Sequence, residues 1–180
     1  MGTIFLDIET TGLDYVKDEI ITIQLRDGNY PIEIFKSWES DEKTILENFV
    51  NRLVEIQKSE FTWCVGFSTL TFDIPFLMSR CSHYNIETPK KLIEIFYRNL
   101  AHCDLKQILL PNNQWKFKGL NWDYCLKIFG HPTKVGFGNQ IPIWFKEREY
   151  EKIISYIESE FQPMSSLYWE LRNKMKVILE

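Results

Sequence analysis

None of the four cysteines, Cys64, Cys81, Cys103 and Cys125, stands in a CxxC pair, and no histidine lies at zinc-like spacing from one. That excludes a sequence-local zinc site and leaves four buried free thiols in a reducing compartment as the expectation. Basic charge is not in excess either. The 21 Lys and Arg against 25 Asp and Glu leave a net charge of −4, whereas nucleic-acid-binding domains are commonly basic. An enzyme whose bound metal ions supply the local positive charge survives that exclusion. No window approaches the roughly 18 uninterrupted apolar residues of a membrane span. The N-terminal MGTIFLDIE has no basic region and no long apolar core, so no signal peptide is expected. A cytoplasmic protein with no membrane partner follows. No repeat, low-complexity segment or linker breaks the chain. Its 180 residues, 44% apolar and 26% charged, are expected to form one domain over 1–180 with a core of its own.

What the chain does hold is a strand that ends in acids. TIFLDIETTGLD, residues 3 to 14, runs Ile4, Phe5 and Leu6 straight into Asp7 and Glu9. Strand side chains alternate between faces, so Asp7 and Glu9 point one way and Ile8 the other. Two carboxylates on one face repel each other unless a cation lies between them. DEIITIQL reads as a second strand, DGN as a hairpin turn and YPIEIF as a third strand, which gives an antiparallel meander. A helix follows, with Ser40 as its expected N-cap and Ile45, Leu46, Phe49, Leu53 and Ile56 at helical spacing. FTWCVGF is a fourth strand, DIPFLMSRCSHY a helix and AHCDL a short fifth strand. A helix is expected around Leu120–Phe129. REYEKIISYIESE and PMSSLYWELRNKMKVIL are helical too, with Pro163 either in a first turn or kinking one long helix. This order predicts an α/β fold with a mixed sheet and helices packed over it.

Two further places attract attention. Asp73 in VGFSTLTFDIPFL falls at a helix start, where the dipole favours an anion; a plain N-cap is the competing reading. Tyr156 and Glu160 in SYIESE are i and i+4 and share one helix face; a solvated face is the competing reading there. KFKGLNWDY, with Lys116 and Lys118 at its start and Trp115 just before it, reads either as a solvated loop or as the lining of an entry groove.

FLDIETTGL, GFSTLTFDIPFL and YIESE together, in this order, resemble the three motifs of the DEDD 3′–5′ exonuclease superfamily, which has a ribonuclease H-like fold. The first motif matches the DxE core extended by TTGL. The second is similar to the form in proofreading domains of B-family DNA polymerases, and the third resembles the tyrosine variant. The histidine variant would need a His where Ser155 stands. A register using Glu158 would leave Tyr156 only two residues away. Ser68 stands where the family usually has Asn, and Glu160 where it has Asp.

The resemblance implies a ribonuclease H-like α/β domain with a central five-stranded mixed sheet, antiparallel through its first three strands and flanked by helices. It implies a free-standing, metal-dependent exonuclease acting on the 3′ end of single-stranded DNA. Two divalent cations, Mg²⁺ or Mn²⁺, would be held by Asp7, Glu9, Asp73 and Glu160. Asp7 would bridge both ions, Glu9 and Glu160 would complete the site that carries the attacking water, and Asp73 would act on the second ion. Tyr156 would orient the water. Thr10, Leu13, Ser68 and Phe72 would line the site of the terminal nucleotides. An exoribonuclease and a catalytically weakened nucleic-acid-binding module are the alternatives. The C-terminal LYWELRNKMKVILE is left with two partners, its own domain or a second subunit of a homodimer.

Overall fold

Strand β1 (Gly2–Thr10) sets the architecture, because one of its faces is wholly apolar. Ile4, Leu6 and Ile8 alternate into the core, each 4% exposed or less. The computed structural model describes residues 2–59 and 61–179, with side chains over 2–58 and 61–174. Glu180, the last residue of the C-terminal segment singled out above, lies outside them. The chain divides into two compact units, Met1–Asp104 and Leu105–Glu180.

The first unit holds the predicted sheet, adding β2 (Ile20–Asp27), β3 (Glu33–Lys36), β4 (Thr62–Gly66) and β5 (Leu100–Asp104). The order is β3-β2-β1-β4-β5. β1–β2 and β2–β3 are antiparallel, and β1–β4 and β4–β5 are parallel. A meander joined to parallel crossovers makes β1 the strand where the two connection types meet, and ligands in α/β sheets collect beyond the carboxyl ends of strands at such points. At Gly66, the last residue of β4, only glycine fits, because a Cβ there would lie 2.7 Å from the Leu6 carbonyl and 2.0 Å from the Thr69 hydroxyl. The pairing of β4 with β1 runs only to Phe5–Val65, so β4 leaves β1 there.

Helix α1 (Glu42–Ser59) packs on the sheet through Ile45, Leu46, Phe49, Leu53 and Ile56, all buried, as their spacing predicts. Phe49 meets Phe35 edge-on at 5.9 Å and stacks with Phe96 at 6.3 Å. Its cap is Asp41 rather than Ser40. The Asp41 carboxylate accepts from the Thr44 N–H at 2.7 Å, since α1 starts one residue later than Ser40 would require. Helix α2 (Asp73–His83) follows β4. Helix α3 (Pro89–Ile93), continued by a π turn over Glu94–Arg98, was not foreseen. Its start signal is ordinary: the Thr88 hydroxyl accepts from the Lys91 N–H and Pro89 occupies the first turn.

A buried ion pair ties these pieces together. The Arg80 guanidinium donates to both Glu42 oxygens at 2.8 and 2.6 Å. The same carboxylate accepts from the Ile20 N–H at 2.8 Å and the Tyr84 hydroxyl at 2.9 Å. Glu42 thus joins α1, α2 and the start of β2.

The second unit comprises α4 (Leu105–Ile108), a 3₁₀ turn at Leu110–Asn113, α5 (Trp122–Ile128), α6 (Ile141–Lys146) and α7 (Tyr150–Leu179). Pro163 lies inside α7, so the two expected helices are one. The buried stripe Ile153, Tyr156, Ile157, Phe161, Met164 and Tyr168 keeps helical period straight through the proline. All four cysteines are buried free thiols. Burial pushes Cys81 up to about 12 and Cys103 and Cys125 each to about 11. Among the described residues no helix is long and apolar enough to cross a membrane.

Candidate active site

Asp7 and Glu9 stand on the face of β1 opposite Leu6 and Ile8, both half-buried. They bring carboxylate oxygens within 4.8 Å of each other. The register with β2 slips between Glu9 and Thr10, where Glu9 faces Thr22 but Thr10 faces Ile20. Such a bulge re-aims the side chains beside it.

Asp73 is the first residue of α2 and 2% exposed. It does not cap the helix. Its Oδ1 accepts from the Ile8 N–H at 3.1 Å, on the edge of β1 that β4 has left. The carboxylate therefore sits one residue from both Asp7 and Glu9 along the strand, held there by backbone.

The connecting loop has its own anchor. Asp104, the last residue of β5 and 4% exposed, accepts from the Ser68 N–H at 3.0 Å and the Leu70 N–H at 3.2 Å. Sequence reasoning missed it, although an acid at the carboxyl end of a parallel strand is a signal in itself. Ser68 adopts φ +65, a left-handed conformation in which asparagine and glycine are the easier residues. Of the other expected substrate contacts, Thr10 is buried and its hydroxyl donates to the Gly12 carbonyl at 2.5 Å. Leu13 is 83% exposed. Phe72 is half-buried against the core, its ring 5.5 Å from Phe76.

In the second unit Tyr156 and Glu160 lie one turn apart on α7, and a lysine joins them. The Lys134 ammonium donates to the Tyr156 hydroxyl oxygen at 2.6 Å and to Glu160 Oε1 at 3.4 Å. It also lies 5.1 Å from the centre of the Tyr156 ring. Burial pushes the Glu160 carboxyl above the usual carboxylate range. The Lys134 charge and a hydrogen bond from Tyr156 pull it back, and Asp123 adds a smaller push upward. The loop carrying Lys134 is pinned to α7 where the Val135 N–H donates to the Ser159 hydroxyl at 3.1 Å. Gly136, at φ +87, lets that loop pass close to the start of α6: a Cβ there would lie 2.9 Å from the Gln140 side-chain oxygen and 3.2 Å from the Trp144 ring. Lys134 was invisible to sequence reasoning because it belongs to no periodic segment.

Comparison with known proteins supplies a family and a fold for the chain that carries these residues. A family model of the RNase_H superfamily matches residues 4–132. An uncharacterized protein of Methanocaldococcus jannaschii is 27% identical over 177 residues, covering 93% of this chain and 94% of its own. Among solved structures, the family B DNA polymerase of the archaeon Pyrobaculum calidifontis aligns with a TM-score of 0.74 at 15% identity. That alignment covers 95% of this chain and 24% of the polymerase. Escherichia coli exonuclease I in complex with a dA16 oligonucleotide aligns with a TM-score of 0.52 at 11% identity, covering 99% of this chain and 45% of the other. The chain thus spans nearly the whole of its curated relative but less than half of either solved protein.

Proposed function

The chain belongs to the RNase H superfamily, and from that premise we propose that it is a metal-dependent 3′–5′ exonuclease acting on single-stranded DNA. The observation that carries the reading is the Asp7–Glu9 pair: two carboxylates on one strand face with oxygens within 4.8 Å. Hard oxygen donors so placed fit a divalent cation such as Mg²⁺ or Mn²⁺, which takes one or two carboxylates and keeps several waters. The two units then act as one exonuclease domain over 1–180. Asp73 and Glu160 join Asp7 and Glu9 as ligands of two ions. When bound, such a pair activates a water and stabilises the leaving 3′ oxygen of the phosphodiester.

The chain's own residues do the rest. Asp73 keeps its carboxylate beside the β1 acids through the Ile8 N–H. Asp104 holds the loop that delivers Asp73. Lys134 donates to the Tyr156 oxygen and fixes the ring's tilt, so that the hydroxyl orients water or a phosphate oxygen. Thr10, Leu13, Ser68 and Phe72 line the site of the terminal nucleotides.

The test is a 5′-labelled single-stranded DNA incubated with Mg²⁺, with Mn²⁺ and with EDTA, beside Asp7→Asn. The expected result is a ladder that shortens from the 3′ end with metal and is absent with EDTA and in the variant. DNA left intact while RNA of the same sequence is degraded would move the reading to an exoribonuclease. One observation favours a weakened binding module: the Lys134 ammonium already lies 3.4 Å from Glu160. Both nucleic acids intact in every metal condition, yet bound by the protein, would move the reading to that module.

A further inference from the structure

The protein's negative total hides a positive segment. Residues 105–128 carry Lys106, Lys116, Lys118 and Lys127 against one acid, Asp123, in a chain of net charge −4. Within that segment the loop after the 3₁₀ turn presents large aromatics to solvent: Trp115 is 73% exposed and Phe117 57%. Packing does not hold these rings where they are; the backbone does. Gln114 and Trp115 both adopt left-handed conformations, φ +54 and +62. The Trp115 N–H donates to the Leu110 carbonyl at 3.0 Å. The Asn113 side-chain amide donates to the carbonyls of Lys116 and, at 3.1 Å, Lys118. A bulky residue in the left-handed region is costly for exposed chain, and here it aims an indole outward beside two lysines.

We infer that Trp115 and Phe117, with Lys116 and Lys118, form a stacking platform for single-stranded nucleic acid. The inference rests on the reading of the substrate as a single strand. Every base has a π-face, so aromatic stacking grips a strand without reading its sequence. The lysines neutralise its phosphates. A chain of net negative charge needs such a local platform to hold more of the strand than the terminal nucleotides. Charge complementarity and solvent-facing rings braced by backbone select this occupant over an apolar protein partner, which would not call for lysines between the rings.

The experiment measures binding without hydrolysis, by fluorescence anisotropy of a labelled oligothymidylate of about 20 nucleotides in EDTA, at several salt concentrations. Trp115→Gly removes the indole and suits the left-handed backbone, so its melting temperature should not fall. It should weaken binding by about tenfold with the salt dependence unchanged. Lys116→Ala/Lys118→Ala should lower the slope of log affinity against log salt by about 1.4. Trp115→Phe should restore most of the affinity. Wild-type affinity in Trp115→Gly, or no binding of the strand by the wild type, overturns the platform. The exonuclease reading fails separately. A protein that binds through this loop but leaves a metal-treated oligonucleotide intact keeps the platform and loses the nuclease, and one that degrades the strand equally well with and without Trp115 does the reverse.

Discussion

Two groups of acids in the first unit, the buried Glu42 and the half-buried Asp7 and Glu9, do opposite things. Glu42 gives its carboxylate to Arg80, Tyr84 and the Ile20 N–H, so charge and lone pairs are met by donors of the chain itself. Asp7 and Glu9 turn their oxygens toward each other. The first arrangement is complete without anything from outside, and it joins two helices to a strand. The second sets two carboxylates side by side on one strand face. Like charges at short range raise the free energy of the ionised pair, so their joint presence on a central strand speaks for a ligand rather than for stability. Acid content separates nothing here; the nature of the neighbours does.

Substitutions can break that contrast. Asp7→Asn carries the largest expected effect: removing one hard anionic ligand should cost at least about 10³-fold in cleavage rate, several kcal/mol of transition-state stabilisation. Its urea midpoint should be unchanged or higher, because a like-charge repulsion is relieved. A large fall in stability would make Asp7 a structural acid and collapse the distinction. Arg80→Leu should behave in the opposite sense. It leaves the Glu42 charge buried without its guanidinium and should destabilise by about 3–5 kcal/mol, read as a lower urea midpoint at unchanged slope. A loss below about 1 kcal/mol would put that pair among the weak surface bridges, despite its 4% and 5% side-chain exposure.

Asp104 lies between the two groups. It is satisfied by the backbone, like Glu42, yet its donors belong to the loop that carries Asp73. Asp104→Asn keeps one acceptor and loses the second along with the charge, at about 1–3 kcal/mol. If Asp104 positions Asp73, the cleavage rate should fall at saturating substrate with KM little changed, and Asp104→Glu should not restore it, because the longer carboxylate cannot meet both N–H groups. A lower melting temperature with the rate intact would leave Asp104 a plain strut.

The legible part of this protein was whatever repeats or alternates. β1 announced itself through Ile4, Leu6 and Ile8 against Asp7 and Glu9, and α1 through five apolar residues at helical spacing, because one buried face imposes one period on the sequence. The mixed sheet with its antiparallel start followed from the succession of strands and helices. What periodicity does not encode was misread or missed. The α1 cap moved from Ser40 to Asp41, since both are good caps and only the start of the helix decides. Pro163 left a first turn or one long helix open, and the apolar stripe that continues through it decides for the single helix α7. Segment 89–98 was left without structure although Thr88-Pro89 is an ordinary helix start. Asp104 and Lys134 act through contacts 34 to 36 and 22 to 26 residues away in sequence, which no local pattern records. Asp7 and Glu9 were legible from strand alternation and Asp73, Tyr156 and Glu160 from their helix positions, with the resemblance joining them into one set, whereas Asp104 and Lys134 are seen only in the structure.

Ser68 offers the finest test, because two explanations of one residue predict different outcomes. It was expected to contact substrate, yet its left-handed φ of +65 suggests that this position is chosen for backbone. A non-glycine residue there costs about 1–2 kcal/mol, and glycine's greater unfolded-state freedom returns about 0.5–1 kcal/mol of that. Ser68→Gly should therefore raise stability by a few tenths to about 1 kcal/mol, visible as a small increase in melting temperature. If the position serves only to turn the chain so that its N–H meets Asp104, Ser68→Gly should also keep the wild-type KM for the strand. If the hydroxyl touches the terminal nucleotide, the same variant gains stability but raises KM, and Ser68→Asn, which tolerates the left-handed turn and keeps a polar side chain, should bring KM back. A stability gain with no change in KM would move Ser68 out of the substrate-contact group and into the set of residues that, like Asp104, act by holding Asp73 where the β1 acids need it.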